Sequence, residues 1–134
     1  ELLKRVWDIQ SPQTLEVYSA DHCRSFCYID DAVEMLMRML NIKACGHKTL
    51  NLGAETPEVT MRDLAQICID LIGKKLIIKP MATTLGSPHR RAPNMSLARD
   101  LLEYESKIGL EQGIKETLDW YREHVFDGIG ATAQ

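Results

Sequence analysis

The stretch Cys23–Leu40, CRSFCYIDDAVEMLMRML, changes its period part-way along. From Arg24 to Ile29 the side chains alternate, with Arg24, Phe26 and Tyr28 on one side and Ser25, Cys27 and Ile29 on the other, as in an extended strand. Beyond it Val33, Leu36, Met37 and Leu40 recur at i, i+3, i+4 and i+7, the stripe of an amphipathic helix. Asp30 stands at the expected N-cap, and Asp31 adds negative charge to a first turn whose free amides attract it. Capping thus accounts for the double aspartate without a catalytic carboxylate pair. A strand handed straight to a helix is the unit of an α/β fold, and that class is expected here.

The flanks keep the same rhythm. Residues 1–10, with Leu2, Leu3, Val6, Trp7 and Ile9, read as the end of a helix whose uncapped start suggests a chain cut from something longer. Ser11-Pro12 forces a turn, Leu15, Val17 and Tyr18 make a short strand, and Asp21-His22 lies in the loop after it. Downstream, Leu50–Leu52 reads as a brief strand. Thr60–Asp63 is close to a capping box for a helix that buries Leu64, Ile67, Cys68, Leu71 and Ile72 and ends at Gly73. Leu76–Ile78 is a strand that Pro80 is expected to terminate, and a polar loop follows from Met81 to Asn94. Ser96 is the expected cap of a short helix through Leu102, and a last helix from about Leu110 to Val125 carries Ile114, Leu118, Tyr121 and Val125 on one stripe. Residues 127–134 are small and read as a flexible tail. Strands this few and short do not make a complete doubly wound sheet. A small helix-rich lobe is expected.

At 134 residues the chain has the length of one domain with a real core. It is 45% hydrophobic and 26% charged, with a formal net charge of −3, which excludes broad binding of nucleic acid or an anionic membrane. No apolar run approaches the roughly 18 residues needed to span a bilayer, and residues 1–10 do not read as a signal peptide. The four cysteines form no CxxC pair, so reduced thiols in a cytoplasmic protein are the expectation. His22, Cys23 and Cys27 have no standard ligand spacing and no second pair, so no metal is expected. Met35, Met37 and Met39 are read as adaptable core.

Arg24 on the strand, Asn51 at the end of the next and Arg90-Arg91 in the loop GSPHRRAPN are not explained by capping or packing. A guanidinium offers a planar fork of donors that matches phosphate oxygens, and two from separate segments could clamp a diphosphate with an amide between them. Spacing alone favours the plainer reading, in which each arginine simply meets a surface carboxylate.

Five motifs in fixed order extend this reading: RSFCYIDDAVEMLMRML, LNLGAETPEVTMRDLAQ, IIKP, SPHRRAPNMSLARDLL and GLEQGIKETLDWYREHVF. From about Leu15 to Phe126 the chain resembles the C-terminal portion of the extended short-chain dehydrogenases/reductases. These are NAD-dependent nucleotide-sugar epimerases, dehydratases and decarboxylases, and the UDP-glucuronate decarboxylase and dTDP-glucose 4,6-dehydratase groups are the most similar. The resemblance implies a substrate lobe over residues 15–126, preceded by the end of a helix and a turn over residues 1–14. It implies that Arg24, Asn51 and Arg91, with Arg90 as the neighbouring choice, contact the diphosphate of a nucleotide sugar. In the complete enzyme NAD would oxidise the sugar at C4, held by a cofactor half that also carries the dimer contacts. Relatives have a glycine-rich turn where this chain has Ser19–Cys23, and commonly an aspartate at Asn94.

The family's glycine-rich dinucleotide turn and its Tyr-x-x-x-Lys pair have no counterpart. Four residues after Tyr18, Tyr28, Tyr104 and Tyr121 stand His22, Ala32, Ile108 and Val125. Gly128–Ala133, GIGATA, matches G-x-G-x-x-A only formally, since no strand precedes it. The chain alone is therefore expected to hold no cofactor, to contain no catalytic residue and to be inactive. A second reading, a non-catalytic interaction or scaffold domain of the same shape, differs in whether Arg24, Asn51 and Arg91 converge.

Overall fold

Backbone pairing organises the chain around two small sheets. In the computed structural model, which describes residues 1–126, the elements run α1 (Leu2–Asp8), β1 (Thr14–Tyr18), β2 (Cys23–Ser25), α2 (Ile29–Asn41), a 3-10 turn (Lys43–Cys45), β3 (Glu58–Thr60), α3 (Met61–Ile72), β4 (Ile77–Met81), β5 (Arg90–Arg91), α4 (Ser96–Leu102) and α5 (Leu110–Tyr121), the last continuing as a π-helical turn (Arg122–Phe126). Strand β1 pairs in parallel with β4, Leu15 opposite Ile78 and Val17 opposite Pro80. Strand β2 lies between β3, antiparallel with Arg24 opposite Val59, and β5, parallel with Arg24 opposite Arg91. The class is α/β and helix-rich, as expected. The tail reading and the GIGATA match fall outside the described residues.

Two apolar clusters hold these layers. The first joins α1, β1, α3 and α5 through Val6, Leu15, Val17, Ala65, Ile69 and Leu118, all almost fully buried. Cys68 sits in it, and burial pushes its thiol up to about 11, which keeps it protonated and unreactive. The second gathers Met35 of α2, Cys45, Met95 and, from α4, Ala98 and Leu102. Helix α3 begins where the sequence signals it. Thr60 Oγ1 accepts from the Asp63 amide at 3.0 Å, the Asp63 carboxylate reaches back to Thr60, and Gly73 closes the helix at φ 78°. Tyr28 can pack against α5 because Gly113 carries no side chain, a Cβ there lying 3.1 Å from the ring.

Lys74 ties the first cluster together. Its ammonium donates to the carbonyls of Val6 at 3.0 Å, Ile9 at 2.6 Å and also Trp7, the unpaired oxygens at the end of α1. Lys74→Ala is expected to lower stability by about 1 kcal/mol, read from the shift of a urea unfolding midpoint.

Several local readings need correction. The strand expected to reach Ile29 ends at Ser25, because its neighbours β3 and β5 offer no pairing partners beyond that point. Helix α2 starts at Ile29 with Tyr28 as N-cap, so Asp30 lies inside the first turn and caps nothing. Leu50–Leu52 joins no sheet among the described residues, whereas β3 and β5 are strands the sequence did not announce. Pro80 lies within β4, which pairs on one edge only among the described residues and so tolerates a residue without an N–H. At α4 the acceptor for Ser96 is Asn94 Oδ1, 3.0 Å from the Ser96 amide and 2.6 Å from its hydroxyl. Of the three methionines of α2, Met35 is core and Met37 is exposed. No helix among the described residues is long and apolar enough to cross a membrane.

Candidate diphosphate site

The four residues singled out by the sequence sit around β5 and the segment that continues it. Arg24 is buried, its Nη1 donating to the Cys23 carbonyl at 2.6 Å and to the His89 carbonyl at 3.4 Å. Its Nη2 donates to Ser87 Oγ at 2.9 Å and to the Pro88 carbonyl at 2.8 Å. The guanidinium thus fastens the loop before β5 to β2. Ser87 Oγ lies 3.3 Å from His22 Nδ1, and the His22 and His89 rings are 5.1 Å apart, closing a small polar knot under the loop.

Arg90 crosses to β3 and forks onto Glu58, Nε to Oε2 at 2.7 Å and Nη2 to Oε1 at 2.5 Å. That bidentate contact holds the Glu58 carboxyl below the usual carboxylate range and raises the arginine further. Arg91, the register partner of Arg24, is exposed and makes no ion pair or side-chain hydrogen bond among the described residues. Asn51 Nδ2 donates to the Asn94 carbonyl at 2.9 Å, and Gly53 packs so closely on Pro93 that a Cβ would approach it to 3.3 Å. The fold therefore brings Arg24 and Arg91 side by side and tethers Asn51 to the chain that follows them. Arg90 is directed to a carboxylate instead.

A cavity of about 310 Å³ lies elsewhere, where Phe26 and Tyr28 meet Leu3, Leu64 and Ile114, and none of the four residues lines it. The sequence reading also missed the buried role of Asp31. Its carboxylate is 2% exposed and accepts from the Tyr104 hydroxyl at 2.7 Å, the Lys107 amide at 3.0 Å and the Ile108 amide at 2.9 Å. Burial alone would raise this carboxyl, but the Tyr104 hydroxyl, the two amides and the Lys107 charge reverse that and hold it below its ordinary value. Tyr104 is pushed up to about 12, first by its bond to Asp31 and then by burial. The DD pair was visible in the sequence, but its partners 73 to 77 residues away were not.

UDP-glucuronic acid decarboxylase 4 of Arabidopsis thaliana is 34% identical to this chain over 115 residues, which is 85% of the chain and 25% of the relative. The chain belongs to the NAD-dependent epimerase/dehydratase family, the extended short-chain dehydrogenases/reductases. It spans about a quarter of that curated relative's length. Solved structures agree on the fold. Epimerase Mth375 of Methanothermobacter thermautotrophicus superposes with a TM-score of 0.85 at 21% identity, over 98% of this chain and 38% of its own. UDP-glucuronic acid 4-epimerase of Bacillus cereus, solved with UDP-glucuronic acid and NAD, gives 0.80 at 21%, over 91% and 38%. No protein-family model matches the chain.

The strand-to-helix junctions among the described residues lack the turn on which the family's dinucleotide is expected to sit. Its pyrophosphate needs a glycine-rich turn between a strand and a helix. The junction from β2 to α2 is Phe26-Cys27-Tyr28, β3 runs directly into α3, and β5 reaches α4 through Ala92–Met95, all without glycine. No cluster of three metal-ligating side chains is present among the described residues.

Proposed function

We propose that this chain is the substrate lobe of an NAD-dependent enzyme acting on nucleotide-diphosphate sugars of the UDP-uronic acid class, with Arg91 as the exposed phosphate ligand. The observation that carries the reading is the pairing of Arg24 with Arg91 across adjoining strands. Two guanidinium charges at neighbouring strand positions repel each other, and an anion bound beside them relieves that repulsion. Arg24 spends its donors on loop carbonyls and the Ser87 hydroxyl, so Arg91 is the one with a fork to offer. Asn51 adds an amide next to the same segment. Together they bind and orient the diphosphate in the ground state, while bond breaking belongs to residues outside this chain. NAD, held by the rest of the enzyme, supplies the hydride acceptor when bound. The relatives' names and the Bacillus cereus complex with UDP-glucuronic acid point to the substrate class.

Calorimetric titration with UDP, UDP-glucuronic acid and dTDP-glucose tests this. Arg91→Ala is expected to weaken binding of UDP by about tenfold or more, the effect of losing a charge-assisted pair, with no change in melting temperature. A second reading, a scaffold domain that binds no sugar nucleotide, is favoured by the saturation of Arg24 within its own loop and of Arg90 by Glu58. It predicts that Arg91→Ala leaves every titration unchanged.

A further inference from the structure

The turn between β1 and β2 holds a conformation that its first residue does not favour. Ser19 has φ 51°, in the left-handed region that a glycine enters freely and a serine only at a cost. Ser19 and His22 are 7% and 6% exposed, so both polar side chains are turned away from water. The turn closes on itself, the His22 amide donating to the Ser19 carbonyl at 2.9 Å. It is also seated on the start of α3. The Met61 amide donates to the His22 carbonyl at 3.0 Å, and the Arg62 amide to the Ala20 carbonyl at 2.9 Å. Two of the amides that a helix leaves free at its N-terminus are used in this way. Residues 19–22 are therefore a fixed platform.

Both buried side chains reach from that platform to the loop between β4 and β5, residues 82–89. Ser19 Oγ accepts from the Thr84 amide at 3.1 Å, its one side-chain hydrogen bond among the described residues. His22 Nδ1 lies 3.3 Å from Ser87 Oγ, a hydroxyl that accepts from Arg24 and keeps its own proton to share. Between these two contacts the loop turns, the Ser87 amide donating to the Thr84 carbonyl at 3.0 Å, with Gly86 at φ 78°. Leu85 at the tip is fully exposed, so polar contacts and not its own apolar side chain hold the tip in place. Pro88 and His89 then lead directly into Arg90 and Arg91.

A glycine at position 19 would relax the backbone and release Thr84. A strained residue held where glycine is easier draws attention to what its side chain does. We propose that Ser19 and His22 are positioning residues of the diphosphate site: they latch residues 82–89 to the platform and so fix where Arg91 presents its guanidinium. The inference rests on the reading of Arg91 as the phosphate ligand. Strain and hydrogen bond oppose each other at Ser19, so the residue adds little to global stability while ordering one segment.

The test compares the native 134-residue chain with Ser19→Gly. Relief of the backbone offsets the lost hydrogen bond, so the melting temperature is expected to move by less than about 3 °C. Without ligand, the Thr84 amide is expected to exchange at least about fivefold faster, as is the Cys23 amide, which donates to the His89 carbonyl at 2.9 Å. The Leu118 amide in the core should stay within about twofold. Calorimetric titration is expected to show UDP bound at least about threefold more weakly, because the competent loop is then only fractionally populated. His22→Asn, whose amide hangs from the same Cγ as Nδ1, should keep the native affinity, and His22→Leu should lose at least about threefold. Unchanged exchange at Thr84 and Cys23, or exchange that quickens everywhere as the melting temperature falls, overturns the latch. Faster loop exchange with unaltered UDP affinity overturns the positioning role, and equal affinities of His22→Asn and His22→Leu remove His22 from it. A native chain that binds no UDP defeats the reading of Arg91 and the positioning role with it. The exchange comparison, made without ligand, tells that failure apart from a failure of the latch.

Discussion

Replacing Asp31 with alanine is expected to lower the unfolding free energy by about 4 kcal/mol, because three part-buried donors at once lose the one acceptor they have among the described residues. The carboxylate lies in the first turn of α2, and its donors are Tyr104 and the amides of Lys107 and Ile108, just before α5 begins at Leu110. It therefore joins the cluster under α2 to the helix that carries Leu118 into the other cluster. Asp31→Asn keeps one acceptor oxygen and is expected to cost about half as much. The pH dependence has a definite sign. The folded carboxyl titrates below its unfolded value, so its contribution is complete above the ordinary carboxylate range and is lost as pH falls through the depressed folded value. Urea titrations from about pH 7 down to about pH 3 should show the difference between the native chain and Asp31→Asn shrinking with acid. A difference that stays constant over that range would show that the charge contributes nothing. Tyr104 works the opposite way. Its hydroxyl must stay protonated to donate, so its share is complete below the ordinary phenol value and is lost as pH rises through about 12.

Arg24→Ala is expected to cost about 3 kcal/mol and, in the complete enzyme, to raise KM far more than it lowers kcat. The first effect follows from the loop. The guanidinium holds the Cys23, Pro88 and His89 carbonyls and the Ser87 hydroxyl, and without it the chain leading into β5 is released from β2. The second follows from what that loop carries, since Arg91 takes its place from pairing with Arg24. In the proposed function Arg24 would therefore act on the diphosphate by positioning its neighbour. The two arginines separate by measurement: Arg91→Ala should reduce affinity alone, and Arg24→Ala both affinity and melting temperature. Arg24→Lys should recover little, because a shorter side chain ending in one nitrogen replaces a fork whose two nitrogens serve different acceptors. A large loss of kcat at unchanged KM would place Arg24 at the reacting atoms and refute the positioning role.

What the sequence by itself determined is the set of elements whose signals lie within a turn or two of the residues they control. The Thr60–Asp63 box and Gly73 bound α3, and the apolar stripe of Leu64, Cys68 and its neighbours marks the face it buries. The alternation of Leu15 and Val17 sets β1, and the order of motifs assigns the family. Only tertiary structure decided the rest. Strand β3 has three residues with Val59 its one apolar side chain, and β5 is two arginines, so neither has a period to read and each exists through pairing with β2. Leu50–Leu52 has the period of a strand but no neighbour to pair with among the described residues. Arg24 and Asp31 look locally like a surface cation and a helix-capping charge. They became buried anchors because partners 63 to 77 residues away close around them, and hydrogen bonds across that separation leave no mark in the local pattern.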